Sequence, residues 1–374
     1  MSQRTKLFRL SDPYNLPASD ALFLQAVREN CAFHYAHCPE YRSVLDSFSF
    51  RPEDLREYDD LVKLPFLPTL TFKKHRLFSL PRRNMAAVST SSGTSGQFSQ
   101  VGFDFPALWC SWNMLWKIGR PRGFFSPTPT HYIILGYQPR RDNRTSVART
   151  AFGATLLSPA LSRTYALRYQ NGGYAPDLDG VAAALVKHGA SRFPVRLVGF
   201  PSYTYFLLRQ MEERGIQVHL RPGSKILLGG GWKQFCTQQV DKPVLYDLVK
   251  RVLGLDDADI IEVFSAVEHP ILYADCTSHH FHIPVYSRVI IRDVDTLEPL
   301  PDGQVGLVEL ITPLMTATPI LAVMTDDLGM VHPGGSCGCG NPAPWLEIIG
   351  RVGLKDIKTC AAGAAELLSG GEGT

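Results

Sequence analysis

Apolar residues recur at helical spacing in some stretches of the chain and in short strand-like runs in others. Residues 19–45 show the helical spacing, with Ser19 or Asp20 placed to cap the helix. From about residue 86, strand-like and helical stretches alternate, and from about residue 260 strand-like runs predominate. This order predicts an α/β core followed by a β-rich sub-barrel.

The individual predictions follow from the same two periodicities. Helices are predicted within 105–123, 180–189, 201–214 and 245–254. Strands are predicted within 86–90, 97–104, 130–138, 195–199, 217–220, 224–233, 259–266, 287–294, 304–313 and 319–331.

Composition narrows the class of protein. The chain has 374 residues, of which 45% are hydrophobic and 20% charged, and its net charge is +3. These values are typical of a globular protein of one large or several smaller domains. The near-balanced charge, with only short basic clusters such as 73–76, argues against a nucleic-acid partner. Neither a signal peptide nor a transmembrane segment is expected, and eight cysteines without a leader favour a reducing cytoplasm.

Cysteine and histidine share the first predicted helix. Cys31, His34, His37 and Cys38 are either metal ligands or partly buried helix residues, and the helical context favours the second interpretation.

A run of serine, threonine and glycine at 89–96 separates two predicted strands. Such a loop supplies hydroxyls, and Gly93 and Gly96 allow backbone N–H groups to turn towards an anion. It is not a Walker loop, because Gln97 stands where that motif has lysine. By itself, the run fits a phosphate cradle and a polar hairpin equally well.

Other motifs favour the cradle. "SSGTSG" resembles the phosphate loop of the adenylate-forming superfamily, although the usual lysine is missing. Together with "LPFLPTLTFK" at 64–73 and "GGGWK" at 229–233, the loop resembles the acyl-protein synthetase family of bacterial bioluminescence. The resemblance spans about residues 60–360. It implies phosphate-binding roles for Ser91, Ser92, Gly93, Thr94, Ser95, Gly96 and Ser99.

The resemblance implies further roles downstream. Gly230, Gly231 and Trp232 would line the adenine site, and Lys233 would reach a phosphate or the acyl carboxylate. Glu268, in a loose version of the superfamily motif, would help hold Mg²⁺ on the ATP phosphates.

The final motifs resemble a ribose site and a hinge. Within "MTDDLG", Asp327 would accept both ribose hydroxyls, and Asp326 is expected to lie outside the site. Arg351, in an altered hinge, is a candidate for ribose or phosphate contact. Too few residues follow for the lid domain of typical relatives, and in the resembling family a cysteine near this end accepts the acyl group. Cys360 is therefore the predicted nucleophile, although Thr359 replaces the family's glycine.

A metal site is also predicted from residue types. Cys276, His282, Cys337 and Cys339 form a Cys₃His set suited to tetrahedral zinc, with His280 as the competing imidazole. A similar arrangement of cysteine and histidine occurs in phenylacetate-CoA-ligase-like relatives, so the resemblance implies a structural zinc ion there. His279 and His332 are less favoured ligands, and buried thiols beside a strand histidine remain the alternative.

The resemblance implies a fold and a function. The fold is the large domain of an adenylate-forming enzyme over 1–350, with a helical extension over about 1–60, a β-rich part over about 260–345 and a truncated hinge and tail at 351–374. The activity is ATP- and Mg²⁺-dependent activation of a carboxylic acid, a fatty acid by resemblance, and transfer through Cys360 to a protein such as an acyl-group reductase. The alternatives are a phenylacetate-type CoA ligase with a shortened lid and a non-catalytic nucleotide-binding or scaffold homologue.

Overall fold

The computed structural model describes most of the chain. The described residues are 1–91, 98–140, 146–232, 235 and 238–351. The chain divides into a first unit, made of 1–118 and 266–374, and a second unit of 119–265. The division of the sequence into a core of 1–350 and a tail of 351–374 stays a prediction.

Elements are numbered along the chain. The helices are α1 (Gln3–Leu7), α2 (Leu16–His37), α3 (Pro39–Ser47), α4 (Thr69–Lys74), α5 (Phe105–Gly119), α6 (Ser146–Ala154), α7 (Leu178–Gly189), α8 (Pro201–Glu213) and α9 (Lys242–Leu253). The strands are β1 (Leu67–Pro68), β2 (Ala87–Thr90), β3 (Gln100–Phe103), β4 (Thr130–Tyr137), β5 (Ala160–Gln170), β6 (Gly173–Pro176), β7 (Val195–Gly199), β8 (Lys225–Gly229), β9 (Ile260–Phe264), β10 (Tyr273–Ala274), β11 (Phe281–His282), β12 (Arg288–Arg292), β13 (Gly306–Ile311), β14 (Ala322–His332) and β15 (Trp345–Arg351).

The first unit is organised by an antiparallel sheet in the order β11-β15-β14-β13-β12. Strand β1 adds to it in parallel, pairing Leu67 with Val323 and Pro68 with Met324 of β14. All six residues of β13 are buried, so this strand lies in the core. The sheet confirms the predicted β-rich region, and its β14 and β15 carry the aspartates and the arginine of the candidate site.

The second unit is an α/β layer structure. Its strands run in the order β9-β8-β7-β4-β5-β6, all parallel except β6. Parallel strands covered by helices are buried on both faces and therefore read as continuous apolar runs. Ile133, Leu197, Ile226 and Ile260 illustrate this, because all four are fully buried in the core of the unit.

Two local predictions were wrong, and several elements were not predicted. Helix α2 begins at Leu16, where Asn15 Oδ1 accepts a hydrogen bond from the N–H of Ala18 at 3.3 Å, so neither Ser19 nor Asp20 is the cap. Residues 217–220 are not a strand, because their backbone bonds to the end of α9. Strands β5, β6, β10, β11 and β15 and helices α1 and α6 were not predicted.

The histidine and cysteines of α2 belong to the core. His34 is fully buried, and its ring nitrogens lie 2.7 Å from Ser79 Oγ and 3.1 Å from the carbonyl of Met315. Cys31 and Cys38 are fully buried as well. The interpretation as buried residues is therefore confirmed for Cys31, His34 and Cys38, of which Cys38 lies directly after α2, and it is wrong for His37, which is exposed. Within the described residues, no helix combines the length and apolar character needed to span a membrane.

Asp104 ties three segments of the first unit together. Its carboxylate accepts a bond from the N–H of Ala107 at 2.9 Å, which caps α5, and pairs with Arg4 at 3.1 Å. It also accepts two bonds from Thr316, each 2.8 Å long. Burial opposes ionisation, but Arg4 and Thr316 outweigh it and hold the pKa of Asp104 below its usual value.

Replacing Asp104 by Ala should lower the free energy of unfolding by about 3–5 kcal/mol, because Arg4 would stay buried without its counter-charge. Chemical unfolding at neutral pH measures this. Asp295→Ala, at an exposed position, is the matched control and should change stability by less than about 0.5 kcal/mol. An equal loss of unfolding free energy in both variants would contradict the role of Asp104 as the counter-charge of Arg4.

Candidate active site

Side chains from three separate motifs meet at Asp326. Thr69 Oγ1 donates to Asp326 Oδ1 at 3.0 Å, and Arg351 Nη2 donates to Asp326 Oδ2 at 3.1 Å. Lys73 Nζ lies 4.0 Å from the same Oδ2. The Asp326 side chain is only 12% exposed, so these partners satisfy a carboxylate that is largely removed from water. Asp326, expected outside the site, thus holds one of the predicted site residues.

The pairing of β1 with β14 explains this convergence. Because Pro68 lies opposite Met324, the next residue of the chain begins α4 beside the aspartates. Thr69 and Lys73 are four residues apart on this helix, so they share a face. The motif at 64–73 therefore delivers a hydroxyl and an ammonium to β14. Neither residue was predicted from the sequence, where the motif contributed only to the family resemblance.

Asp327 and Arg351 are cross-strand partners. They occupy opposing positions of β14 and β15, and Arg351 Nε lies 4.0 Å from Asp327 Oδ1. The N–H of Asp327 donates to Thr325 Oγ1 at 3.2 Å. Removal from water raises the pKa of Asp327 to about 6, with Arg351 opposing the shift and the carboxylates of Asp326 and Glu268 adding to it. Two of the predicted ligands thus lie together.

Glu268 lies in a tight turn after β9. The backbones of Ala266 and His269 bracket it with two hydrogen bonds of 3.2 Å. His269 anchors the turn, since its fully buried ring contacts Ser287 Oγ at 3.0 Å, and burial lowers its pKa to about 3. Glu268 itself is buried, yet its charge influences Asp327. The turn therefore fixes a carboxylate in the neighbourhood of the aspartates.

Two serines close the base of the β2–β3 hairpin. The N–H of Ser91 donates to the carbonyl of Ser99 at 3.1 Å, and the N–H of Ser99 donates to Ser91 Oγ at 3.0 Å. Ser99 is fully buried, and among the described residues its hydroxyl has no hydrogen-bond partner. A buried hydroxyl in this state is costly unless a ligand completes it. The loop residues Ser92, Gly93, Thr94, Ser95 and Gly96 lie outside the described residues.

The "GGGWK" motif follows β8 in the second unit. Gly230 has a φ of +75°, which favours glycine at this turn. Trp232 is buried and packs against Tyr205 and Phe206, with ring centroids 5.7 and 6.4 Å away. The motif is therefore a tight turn anchored by a packed tryptophan, and an adenine-binding role for it stays a prediction. Lys233 and Cys360 lie outside the described residues.

The four predicted metal ligands are gathered in the first unit. The ligand atoms of Cys276, His282, Cys337 and Cys339 all lie within 4.8 Å of one another. Cys276 Sγ is 3.4 Å from Cys337 Sγ, and Cys339 Sγ is 3.2 Å from His282 Nε2. His280, the competing imidazole, is also close, with Nδ1 3.1 Å from Cys337 Sγ.

The surroundings of these ligands suit a metal. His282 Nδ1 lies 2.8 Å from the carbonyl of Ala343, which leaves Nε2 to face the thiols. Backbone N–H groups of Ser278 and Asn341 donate to the sulfurs of Cys276 and Cys339. Burial opposes ionisation of Cys276, but hydrogen bonds, first from His282, lower its pKa, whereas burial raises the pKa of the neighbouring Cys337 thiol to about 12. A thiolate and an oriented imidazole are the forms that bind zinc.

Comparison with solved structures defines the class of fold. A 2-hydroxyisobutyryl-CoA ligase, solved in the postadenylation state with 2-HIB-AMP, superposes with a TM-score of 0.68 at 18% identity. The match covers 91% of this chain and 69% of that one. The same ligase in complex with 2-HIB-AMP and CoA gives a TM-score of 0.67 at 17% identity, covering 91% and 70%. The fold is that of the adenylate-forming CoA ligases, as the sequence predicted.

Sequence comparison then gives the family. The chain belongs to the acyl-protein synthetase family, LuxE, whose model matches residues 5–369. It is similar to a long-chain-fatty-acid–luciferin-component ligase of Aliivibrio fischeri, with 25% identity covering 91% of this chain and 87% of that protein. It is also similar to a phenylacetate-coenzyme A ligase of Thermus thermophilus, with 25% identity covering 89% and 70%. The chain is thus related to ligases of both kinds, and its family is the acyl-protein synthetases.

Proposed function

We propose that this protein activates a carboxylic acid with ATP and passes the acyl group through Cys360 to an acceptor protein. The observation that carries the proposal is the convergence of Asp326, Asp327, Arg351 and Lys73, because it gathers carboxylates and cations from three motifs of the family. Such a cluster can position a polyanionic nucleotide and offset the charge that develops on its leaving group.

The chemistry has two balanced steps. A carboxylate oxygen of the acid attacks the α-phosphorus of ATP, and the bond to pyrophosphate breaks. The Cys360 thiolate then attacks the acyl carbon, and AMP leaves with the oxygen contributed by the acid. The resulting thioester keeps the acyl group activated for transfer to a second protein.

Each residue has a role that its chemistry suits. Asp327 accepts the two ribose hydroxyls, Arg351 contacts ribose or phosphate, and Asp326 positions Arg351. Glu268 would hold Mg²⁺, which neutralises phosphate charge when it is bound. The hydroxyl of Ser99 is available to the phosphates, and Lys73 supplies a cation where the loop has Gln97 in place of lysine. Lys233 remains a second candidate for a phosphate or the acyl carboxylate.

The relatives indicate the substrates. Two luciferin-component ligases, from Aliivibrio fischeri and Vibrio harveyi, act by name on long-chain fatty acids. A long-chain fatty acid is therefore the proposed substrate here, and a protein such as an acyl-group reductase is the proposed acceptor.

Carboxylate-dependent exchange of labelled pyrophosphate into ATP tests the proposal. Long-chain fatty acids should support exchange, while aromatic and short-chain acids should support it weakly. Absence of exchange across the whole panel, in protein that still binds ATP, would favour the non-catalytic alternative. The similarity to phenylacetate-CoA ligases supports the other alternative, and formation of an acyl-CoA thioester by the purified chain would favour it.

The affinity for adenosine should rise about tenfold between about pH 5 and pH 7, because only ionised Asp327 can accept both ribose hydroxyls. With its pKa at about 6, the carboxyl is mostly protonated below that pH and mostly ionised above it. Adenosine carries no charge in this range, so a pH dependence of the affinity measured by calorimetric titration reports ionisation of the protein alone. Asp327→Asn should bind weakly at every pH. A wild-type affinity that does not change with pH would contradict the assignment.

We further propose that Cys276, His282, Cys337 and Cys339 hold a structural zinc ion. The purified protein should then contain one zinc per chain, measured by elemental analysis. The double variant Cys337→Ser, Cys339→Ser should lose the metal and melt several degrees lower, because the ligand energy stabilises only the folded state. His219→Gln, at an exposed position, should keep the zinc and the wild-type Tm. Zinc-free wild-type protein, with an unchanged Tm in the double variant, would contradict the proposal.

A further inference from the structure

Helix α5 is apolar on its exposed face as well as on its buried face. Ala107, Cys110, Met114 and Ile118 point into the core and are buried. The aromatic face of α5 consists of the exposed residues Phe105 (68% exposed), Leu108 (42%), Trp109 (38%), Trp112 (56%) and Trp116 (43%). A helix that is apolar all round is normally covered on every side.

The spacing makes the aromatic face continuous. Phe105, Trp109, Trp112 and Trp116 recur every three or four residues, so they follow one another along one side of the helix, and Leu108 lies next to them, three residues after Phe105. Given the usual area of aromatic side chains, the face exposes on the order of 500 Å². That is at the upper end of the apolar patches found on monomers, where such patches are often functional. Tryptophan is also among the residues that contribute most to protein–protein binding.

Charge decides which partner fits this face. None of its five residues is charged. One cation lies on it, since the Arg9 guanidinium is 5.1 Å from the centroid of the Trp109 ring, whereas the adjacent Lys117 directs its ammonium to the backbone carbonyls of Phe8 and Leu10 rather than outward. In a two-fold symmetric dimer, each residue near the axis meets its own copy, so a charged face would repel itself. The aromatic face avoids that cost. A lipid surface would instead require several outward cations around the face.

The apolar area of the aromatic face is also sufficient for a dimer of two copies of this chain. Two copies of the face bring together on the order of 1,000 Å² of mostly apolar surface. A polar rim around such a core reaches the standard protein–protein interface of about 1,600 Å².

We propose that the aromatic face of α5 pairs with the same face of a second copy of this chain, forming a two-fold symmetric dimer. The inference rests on exposed apolar surface and charge, and it is independent of the proposed catalytic activity.

Sedimentation equilibrium over a dilution series tests the dimer. Wild-type protein should dimerise with a Kd that is micromolar or tighter. Trp112→Ser should weaken dimerisation by about thirtyfold or more, because loss of a tryptophan anchor commonly exceeds 2 kcal/mol. Phe48→Ser is the matched control, because Phe48 is equally exposed, at 59%, but lies outside α5.

Three results would overturn the proposal. The first is a monomer at every concentration, and the second is a dimer that Trp112→Ser and Trp116→Ser leave intact. The third is a monomer that binds phosphatidylglycerol vesicles through Trp112, which would assign the face to a lipid surface. Thermal melts confirm that each variant is folded. Failure of pyrophosphate exchange would contradict the proposed function but would not bear on the proposed dimer.

Discussion

Replacing Cys360 by Ala should abolish covalent acyl labelling of the protein while leaving acid-dependent pyrophosphate exchange within about threefold of wild type. The reason is that adenylation and thioester formation are separate steps. The first needs the nucleotide-binding residues and the acid, whereas the second needs a thiolate to attack the acyl carbon. The variant should accumulate bound acyl-AMP because its next acceptor is missing.

The labelling experiment uses a radioactive long-chain fatty acid with MgATP, followed by denaturation and treatment with neutral hydroxylamine, which cleaves thioesters. Thr359→Ala, next to the nucleophile, is the matched control and should label normally. Hydroxylamine-labile label that persists in Cys360→Ala would show that another residue accepts the acyl group. Loss of exchange together with loss of labelling would show that Cys360 acts before transfer.

Replacing Glu268 by Gln should lower kcat/KM for pyrophosphate exchange by about a hundredfold or more, which is typical of losing one electrostatic contact to a transition state. Glutamine keeps the size of the side chain but removes the charge that a hard cation requires. The turn around Glu268 is held by the backbone and by His269, so the substitution should leave the fold intact.

The measurement is exchange rate against Mg²⁺ concentration. If Glu268 binds the metal, Glu268→Gln should need several times more Mg²⁺ for half-maximal rate, a shift that a purely structural defect would not produce. Glu298→Gln, at an exposed position, is the control and should match wild type. A rate within tenfold of wild type, with an unchanged Mg²⁺ requirement, would contradict the role.

The elements that were predicted from the sequence are those in which burial determines the pattern of apolar residues. The parallel strands of the second unit are apolar on both faces, so β4, β7, β8 and β9 were predicted. Strand β5 was missed because it has no continuous apolar run: Ala166 is the only buried residue of its eleven. Residues 217–220 alternate like a strand, yet their N–H groups bond to the end of α9, a partner that no local pattern reveals.

The residues of the candidate site that were named from the sequence are those that fall in recognisable motifs. Asp327 and Arg351 were identified from two such motifs, and the register of β14 and β15 places them opposite each other. The contacts of Asp326 were not predicted, because its partner Thr69 is 257 residues away in the chain. That contact depends on the pairing of β1 with β14, which spacing along the sequence does not encode.

The candidate metal site was predictable from residue chemistry. Cysteine and histidine types, together with the resemblance to phenylacetate-CoA-ligase-like relatives, selected Cys276, His282, Cys337 and Cys339, and the structure brings the ligand atoms of these four together. The choice between His280 and His282 needed geometry. His280 stacks on Trp345 at a centroid distance of 3.8 Å, whereas His282 is oriented by the carbonyl of Ala343.

Isotope transfer from the acid to AMP tests the central claim most directly. The protein is incubated with MgATP and a long-chain fatty acid whose carboxylate carries heavy oxygen, and the nucleotides are analysed by mass spectrometry. If the carboxylate attacks the α-phosphorus, each AMP formed should carry one heavy oxygen, at a rate that Glu268→Gln reduces. Heavy oxygen in inorganic phosphate alongside ADP, or AMP without label, would contradict activation through an acyl-adenylate.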